Sequence, residues 1–226
     1  MNYEKKIVVS EDGSCTLRIE ALKESYHSLH GALTESNFVY IETGLKYWHL
    51  NNSNKPCSVL EIGYGTGLVT YLSYLASHAY NIGIEYTAIE AYPLTKEETQ
   101  LLKYDLLFKG TANQPKHSDF TACPWEKETQ VSPNFKLFKQ IVFFQNFHSK
   151  SKFDLIFYDA FGAHAQPDLW DTQWMQKSFD LLNSGGIWVS YCAKGAVRRS
   201  LKEVGFTVER LPGPPGKRHM MRAIKP

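Results

Sequence analysis

Three acids that each close an apolar run, and three glycines on alternate positions behind the first of them, are the residues best placed to do chemistry. Val59-Leu60-Glu61-Ile62 leads into Gly63-Tyr64-Gly65-Thr66-Gly67, and Leu68 to Leu75 continues as an apolar stretch of helical character. The order is that of a buried strand, a tight turn and a helix. Glycines at such a turn allow positive φ and close approach of a ligand, and the amides at the helix start can donate to it. The loop is therefore expected to hold a nucleotide-like cofactor at Gly63, Gly65 and Gly67, with Glu61 opening the motif. A dinucleotide fingerprint would need its third glycine at position 68, where the chain has Leu68. Further on, Glu85-Tyr86-Thr87-Ala88-Ile89-Glu90 ends a second apolar strand in an acid. An acid there can accept two hydrogen bonds from ribose hydroxyls, which makes Glu90 the expected ribose ligand. Phe153 to Asp159 forms the third such run and stops at a sharp Ala160-Phe161-Gly162 turn. A carboxylate in that position can orient a nucleophile and take its proton, so Asp159 is the expected catalytic residue.

These acids share a site only if their strands lie side by side. Lys96 to Phe108 spaces its apolar residues as a helix, and Lys109 to Pro133 reads as a long irregular excursion pinned by Trp125. Phe135 to Phe147 reads as strand, Asp168 to Leu182 as helix, Ser184-Gly185-Gly186 as a turn and Ile187 to Cys192 as strand. Gly195 to Val204 then reads as a helix closed by Gly205. Phe206 to Arg210 and His219 to Ile224 are expected to close the chain as an antiparallel hairpin. Repeated strand and helix units predict an α/β fold with a doubly wound, mostly parallel sheet. Ligands bind such sheets beyond the carboxyl ends of their strands, so Glu61, Glu90 and Asp159 should converge on one crevice.

At 226 residues with 43% apolar side chains, the chain is expected to form a single domain, residues 1–226, with 1–50 as an N-terminal extension packed on it. It has no apolar run of membrane-spanning length and no signal-peptide pattern at its start, which predicts a cytoplasmic location. Cys15, Cys57, Cys123 and Cys192 are scattered, and the eight histidines lack ligand spacing, so no metal site is expected. The net charge of +2 conceals an asymmetry: from Lys194 to Pro226 nine basic residues face two acidic ones, a local +7 against −5 for the remainder. Such a segment suits a polyanion, with Arg198, Arg199, Lys217 and Arg218 as candidate nucleic-acid contacts; an ordinary solvated basic surface is the alternative.

The E/D-x-G-x-G-x-G form of Glu61 to Gly67 resembles motif I of class I S-adenosylmethionine (SAM) methyltransferases, in which the methionine end of the cofactor lies over the glycine loop. Asp159-Ala160-Phe161 with Pro167 and Trp170 resembles a narrower signature. It is that of the methyltransferase domain in the bifunctional enzyme completing 5-methylaminomethyl-2-thiouridine at the tRNA wobble position. Tyr26-His27-Ser28, Gly31-Ala32, Glu35-Ser36 before Phe38-Val39-Tyr40-Ile41, Glu90-Ala91-Tyr92-Pro93-Leu94, Tyr191 to Arg199 and Gly213 to Ala223 are similar to further segments of that family. The resemblance implies a seven-stranded sheet, SAM as cofactor, S-adenosylhomocysteine as product, and N-methylation of an aminomethyl group on tRNA bound through its anticodon stem-loop. The flavin-dependent domain of the bifunctional form is not within this sequence, so only the methylation step is implied; an oxidoreductase acting upstream would be separate. Gly162-Ala163 replaces the usual proline-containing turn, and Gln145-Asn146 stands where many relatives carry an acid near adenine, which leaves the adenine contact unassigned. Phe161 and Trp170 could flank a base or pack internally. A small-molecule amine methyltransferase, an aminopropyl transferase, and a non-catalytic SAM- or RNA-binding module are the competing readings.

Overall fold

The computed structural model describes residues 3–52, 55–108 and 114–226. The N-terminal part forms a small antiparallel sheet of β1 (Lys6–Val9), β2 (Cys15–Ile19) and β3 (Glu24–Ser25). A helical rod follows in three parts: α1 (Ala32–Ser36), a π-helical stretch Asn37–Lys46, and α2 (Tyr47–Asn51). Gly44 lets this rod lie flat on the main sheet, because a Cβ there would sit 3.0 Å from Phe157 and 3.1 Å from Val189.

The first strand and helix units are β4 (Cys57–Ile62), α3 (Leu68–Tyr80), β5 (Ile84–Glu90) and α4 (Lys96–Leu101). Next come α5 (His117–Ala122), β6 (Glu128–Ser132), β7 (Phe135–Ile141) and β8 (Phe153–Tyr158). The chain ends with α6 (Thr172–Leu181), β9 (Leu182–Ser190), α7 (Gly195–Glu203), β10 (Thr207–Pro212) and β11 (His219–Ile224). One sheet takes the order β10-β11-β9-β8-β4-β5-β7-β6. Its centre, β9-β8-β4-β5-β7, is parallel, and β11 runs antiparallel to both β9 and β10. The sheet is thus α/β and mostly parallel.

Four details correct the sequence reading. The sheet has eight strands rather than seven, because polar Glu128–Ser132 pairs antiparallel with β7 at the edge. The stretch expected to be irregular therefore carries α5 and β6; its residues 109–113 lie outside the described residues. The helix expected over 96–108 ends at Leu101, two residues before left-handed Lys103 (φ 52°), although Thr95 and Glu98 cap its start reciprocally. Finally, Gly185 and Gly186 do not precede β9 but bulge within it: two residues of β8 face a five-residue advance of β9.

Alternation along the strands fills both faces. Val59, Leu155 and Val189 pack towards the N-terminal rod and α3. Leu60, Ile156 and Trp188 pack with Met175 of α6 and Val197 of α7 on the other side.

Candidate active site

Where β4 ends, Gly63, Gly65 and Gly67 all adopt positive φ, at 94°, 49° and 76°. The turn between strand and helix is possible only because these positions lack side chains. A Cβ on Gly63 would lie 2.7 Å from the backbone oxygen of Asp159, and one on Gly67 would meet the Tyr64 hydroxyl at 2.6 Å. Thr66 is held from two sides: its hydroxyl is 2.7 Å from His27 Nε2, and its carbonyl accepts from His117 Nε2 at 2.8 Å. Burial lowers the pKa of both imidazoles, that of His27 to about 4, so they clamp the loop as neutral rings.

Over this loop lies a cavity of about 380 Å³, walled by Gly63, Gly65, Glu90, Phe143, Asp159 and Phe161 among others. Its size falls in the range of roughly 300–1,000 Å³ usual for cofactor sites. Glu90 closes β5 and faces the cavity, accepting from the amide of Gly65 at 3.0 Å and that of Tyr92 at 2.9 Å. Those bonds fix the carboxylate and leave lone pairs on both oxygens for ligand hydroxyls. Past β7, Val142, Phe143 and Gln145 line the same cavity beside Tyr92, whose ring meets Phe143 edge-on at 5.5 Å. This apolar end, unassigned in the sequence reading, suits a flat ring. Glycine cradle, strand-end carboxylate and apolar slot together fit a nucleoside-bearing sulfonium cofactor.

Two of the residues expected at the cofactor are elsewhere. Glu61 is fully buried and absent from the cavity wall; its Oε2 accepts from the Thr70 hydroxyl of α3 at 2.6 Å. The reason is the two-residue period of a strand, which puts Glu61 on the same face as Val59, beneath the helix. Burial raises its pKa well above the carboxylate range. Gly67 also stays off the wall and serves as the left-handed residue from which α3 starts.

Asp159 stands just past β8, with its amide on the carbonyl of Ile62 at 2.9 Å. The Tyr40 hydroxyl donates to its Oδ1 at 2.5 Å. Burial raises the pKa of Asp159 well above the usual carboxylate range; the Tyr40 hydrogen bond opposes the rise, Glu35 adds to it and Lys217 counters it. Beyond Asp159 a second, polar cavity of about 230 Å³ opens, and Tyr26, His27, Asp159, Ala160 and Phe161 line both. Asp159 is therefore at a junction, with the larger cavity on one side and Glu35, Tyr191 and Lys217 on the other. Phe161 packs edge-on against Tyr26 at 5.0 Å, whereas Trp170 is buried and donates to the Phe161 carbonyl at 2.9 Å, an internal support. Sequence reasoning gave no role to Tyr40, Glu35 or His27; their presence in family-like segments was the only signal.

The basic segment divides. Arg199 and Arg218 are exposed and Arg198 half-buried on the surface near α7 and the closing hairpin. Lys217 instead pairs with Glu35 at 2.6 Å, with its ammonium 4.0 Å from the centre of the Tyr191 ring. Arg222 pairs with Glu209 at 2.7 Å and stacks on Tyr47, and Lys225 donates to the carbonyls of Phe179 and Leu182. Three of the nine basic residues thus serve the interior.

Residues 134–226 match the family model described as S-adenosyl-L-methionine-dependent methyltransferase. The chain is also similar to tRNA 5-methylaminomethyl-2-thiouridine biosynthesis bifunctional protein MnmC. It is 26% identical to the one from Hydrogenovibrio crunogenus over 95% of this chain and 33% of that protein. Against the Aromatoleum aromaticum protein the identity is 26% over 96% of this chain and 35% of the relative. The chain spans about a third of the length of these relatives. Its fold matches the crystal structure of MnmC2 from Aquifex aeolicus at a TM-score of 0.77 and 21% identity, over 100% of this chain and 73% of the other.

Proposed function

We propose that the chain transfers the methyl group of SAM to the 5-aminomethyl nitrogen of (2-thio)uridine at the tRNA wobble position. The observation that carries this reading is Asp159, a half-buried carboxylate at the wall shared by a cofactor-sized cavity and a smaller polar one. The names of the relatives supply the nucleoside.

In this reading the methionine end of the cofactor lies over the Gly63 to Gly65 turn, whose amides are held by the Ile89 carbonyl and the Glu90 carboxylate; Glu90 also binds the ribose hydroxyls, and Val142 and Phe143 enclose adenine. The sulfonium supplies an already activated methyl group, so the protein's task is alignment. Asp159 accepts a hydrogen bond from the amine, aims its lone pair along the line of displacement and takes the proton released as the new N–C bond forms. A carboxylate whose proton affinity has been raised by burial is suited to that step. Arg198, Arg199 and Arg218 hold phosphates of the anticodon stem-loop, and a flavin-dependent oxidoreductase acting upstream supplies the primary amine.

The test is methyl transfer from labelled SAM to tRNA bearing 5-aminomethyl-2-thiouridine, with tRNA bearing the unsubstituted 2-thiouridine as control, followed by nucleoside analysis. Label in 5-methylaminomethyl-2-thiouridine is the expected result. Absence of label there, or equal label in the control, refutes the reading.

A further inference from the structure

The polar cavity beyond Asp159 contains three carboxylates, each engaged in a different way. Glu24 accepts from His164 Nε2 at 2.7 Å and from the Gly162 amide at 3.2 Å, which ties the turn after β8 to the N-terminal sheet. Asp159 is held by Tyr40. Glu35, 7% exposed, holds the ammonium of Lys217 at 2.6 Å, and the Tyr191 ring covers that ammonium from 4.0 Å. A carboxylate on one side and an aromatic face on the other make a cage for a primary ammonium or amine. The chain's own primary amine sits in it. Lys217 reaches the cage from the closing hairpin and remains 31% exposed, so it can turn outwards into water at little cost in solvation.

Resting on the function proposed above, we infer that this cavity is the acceptor site and that Glu35 is its amine-selecting residue. An incoming aminomethyl group takes the place of Lys217 between Glu35 and Tyr191, with its nitrogen beside Asp159. The volume of about 230 Å³ lies below the roughly 300–1,000 Å³ of pockets that enclose whole ligands. The cavity therefore admits the base and its substituent and leaves the sugar and phosphates on the surface, where the released Lys217 and its exposed neighbour Arg218 can meet them.

The experiment compares anticodon stem-loops that carry 5-aminomethyluridine or 5-hydroxymethyluridine, titrated against the protein saturated with S-adenosylhomocysteine. The wild type should prefer the amine about tenfold or more, the discrimination expected of one charge-assisted hydrogen bond. Glu35→Gln should erase that preference while leaving S-adenosylhomocysteine affinity unchanged, because Glu35 is not on the wall of the larger cavity. Glu35→Asp should restore part of it. If Glu35→Gln does not bind S-adenosylhomocysteine and so has not folded, Tyr191→Leu is the deciding variant, with a several-fold loss of preference expected. A wild type that binds both stem-loops equally, or a folded Glu35→Gln that keeps the preference, overturns the inference. Failure of the wild type to methylate the aminomethyl stem-loop at all would instead overturn the underlying function.

Discussion

Replacing Tyr40 by phenylalanine probes the site through a single atom. The hydroxyl that donates to Asp159 Oδ1 at 2.5 Å is lost, while the buried ring, 5.3 Å from that of Phe157, is kept. A hydrogen bond to a charged group contributes about 1.5–3 kcal/mol, and one pKa unit corresponds to about 1.4 kcal/mol. Removing the donor weakens the anion of Asp159 more than the acid, so its already raised pKa should climb further. Only the anion can accept the amine's proton, so activity is lost as pH falls through that pKa. In Tyr40→Phe the acid limb of the kcat profile should therefore move to higher pH, with the rate recovering above it. Tyr40 does not line the larger cavity, so SAM affinity should hold. The assay is the initial rate of methyl transfer to aminomethyl-bearing tRNA across a pH series, in parallel with calorimetry of SAM. Ionisation of the amine is common to both proteins, so the difference between the profiles isolates Asp159. Superimposed acid limbs would refute the argument that Tyr40 sets the proton affinity of the carboxylate.

Gly65→Val should abolish SAM binding in calorimetry, because the position has φ 49° and a Cβ there would approach the Tyr26 ring to 3.1 Å; NADH should give no heat even with the wild type. Glu90→Ala should weaken SAM by about tenfold or more, having removed both the ribose acceptor and the partner of the Gly65 amide. Asp159→Ala should instead lower kcat far more than SAM affinity, and single-turnover rates with SAM titrations separate the two effects. Replacing Arg198, Arg199 and Arg218 together by alanine should flatten the salt dependence of tRNA binding by about one unit of slope per lost phosphate contact. An unchanged slope would make this surface a solvated one.

The parts of the molecule that follow from local pattern were legible in the sequence. Apolar runs ending in Ile62, Glu90 and Asp159 mark adjacent parallel strands, and glycines on alternate positions mark the turn that a Cβ would block. Facing was legible in principle: the same alternation that buries Val59 also buries Glu61, and a motif read as a unit hid it. The edge strand Glu128–Ser132 has no apolar alternation, because both its faces are partly solvated, so nothing local distinguished it from a loop. Tyr40 lies 119 residues from its partner Asp159, and no spacing rule connects the two. Charge counting likewise could not separate Arg199, which faces water, from Arg222, which is 9% exposed and bound to Glu209 and to the Thr43 carbonyl.

Gly63 and Asp159 meet backbone to backbone, so close that a single added carbon would lie 2.7 Å from the carbonyl oxygen of Asp159. The amide of Asp159 in turn holds the carbonyl of Ile62 at 2.9 Å. No side chain stands between the glycine loop under the larger cavity and the turn beside the smaller one. Packing this dense passes a displacement on instead of absorbing it. Any influence of occupancy in one cavity on affinity in the other is mutual by linkage: whatever factor the first ligand adds to binding of the second, the second returns.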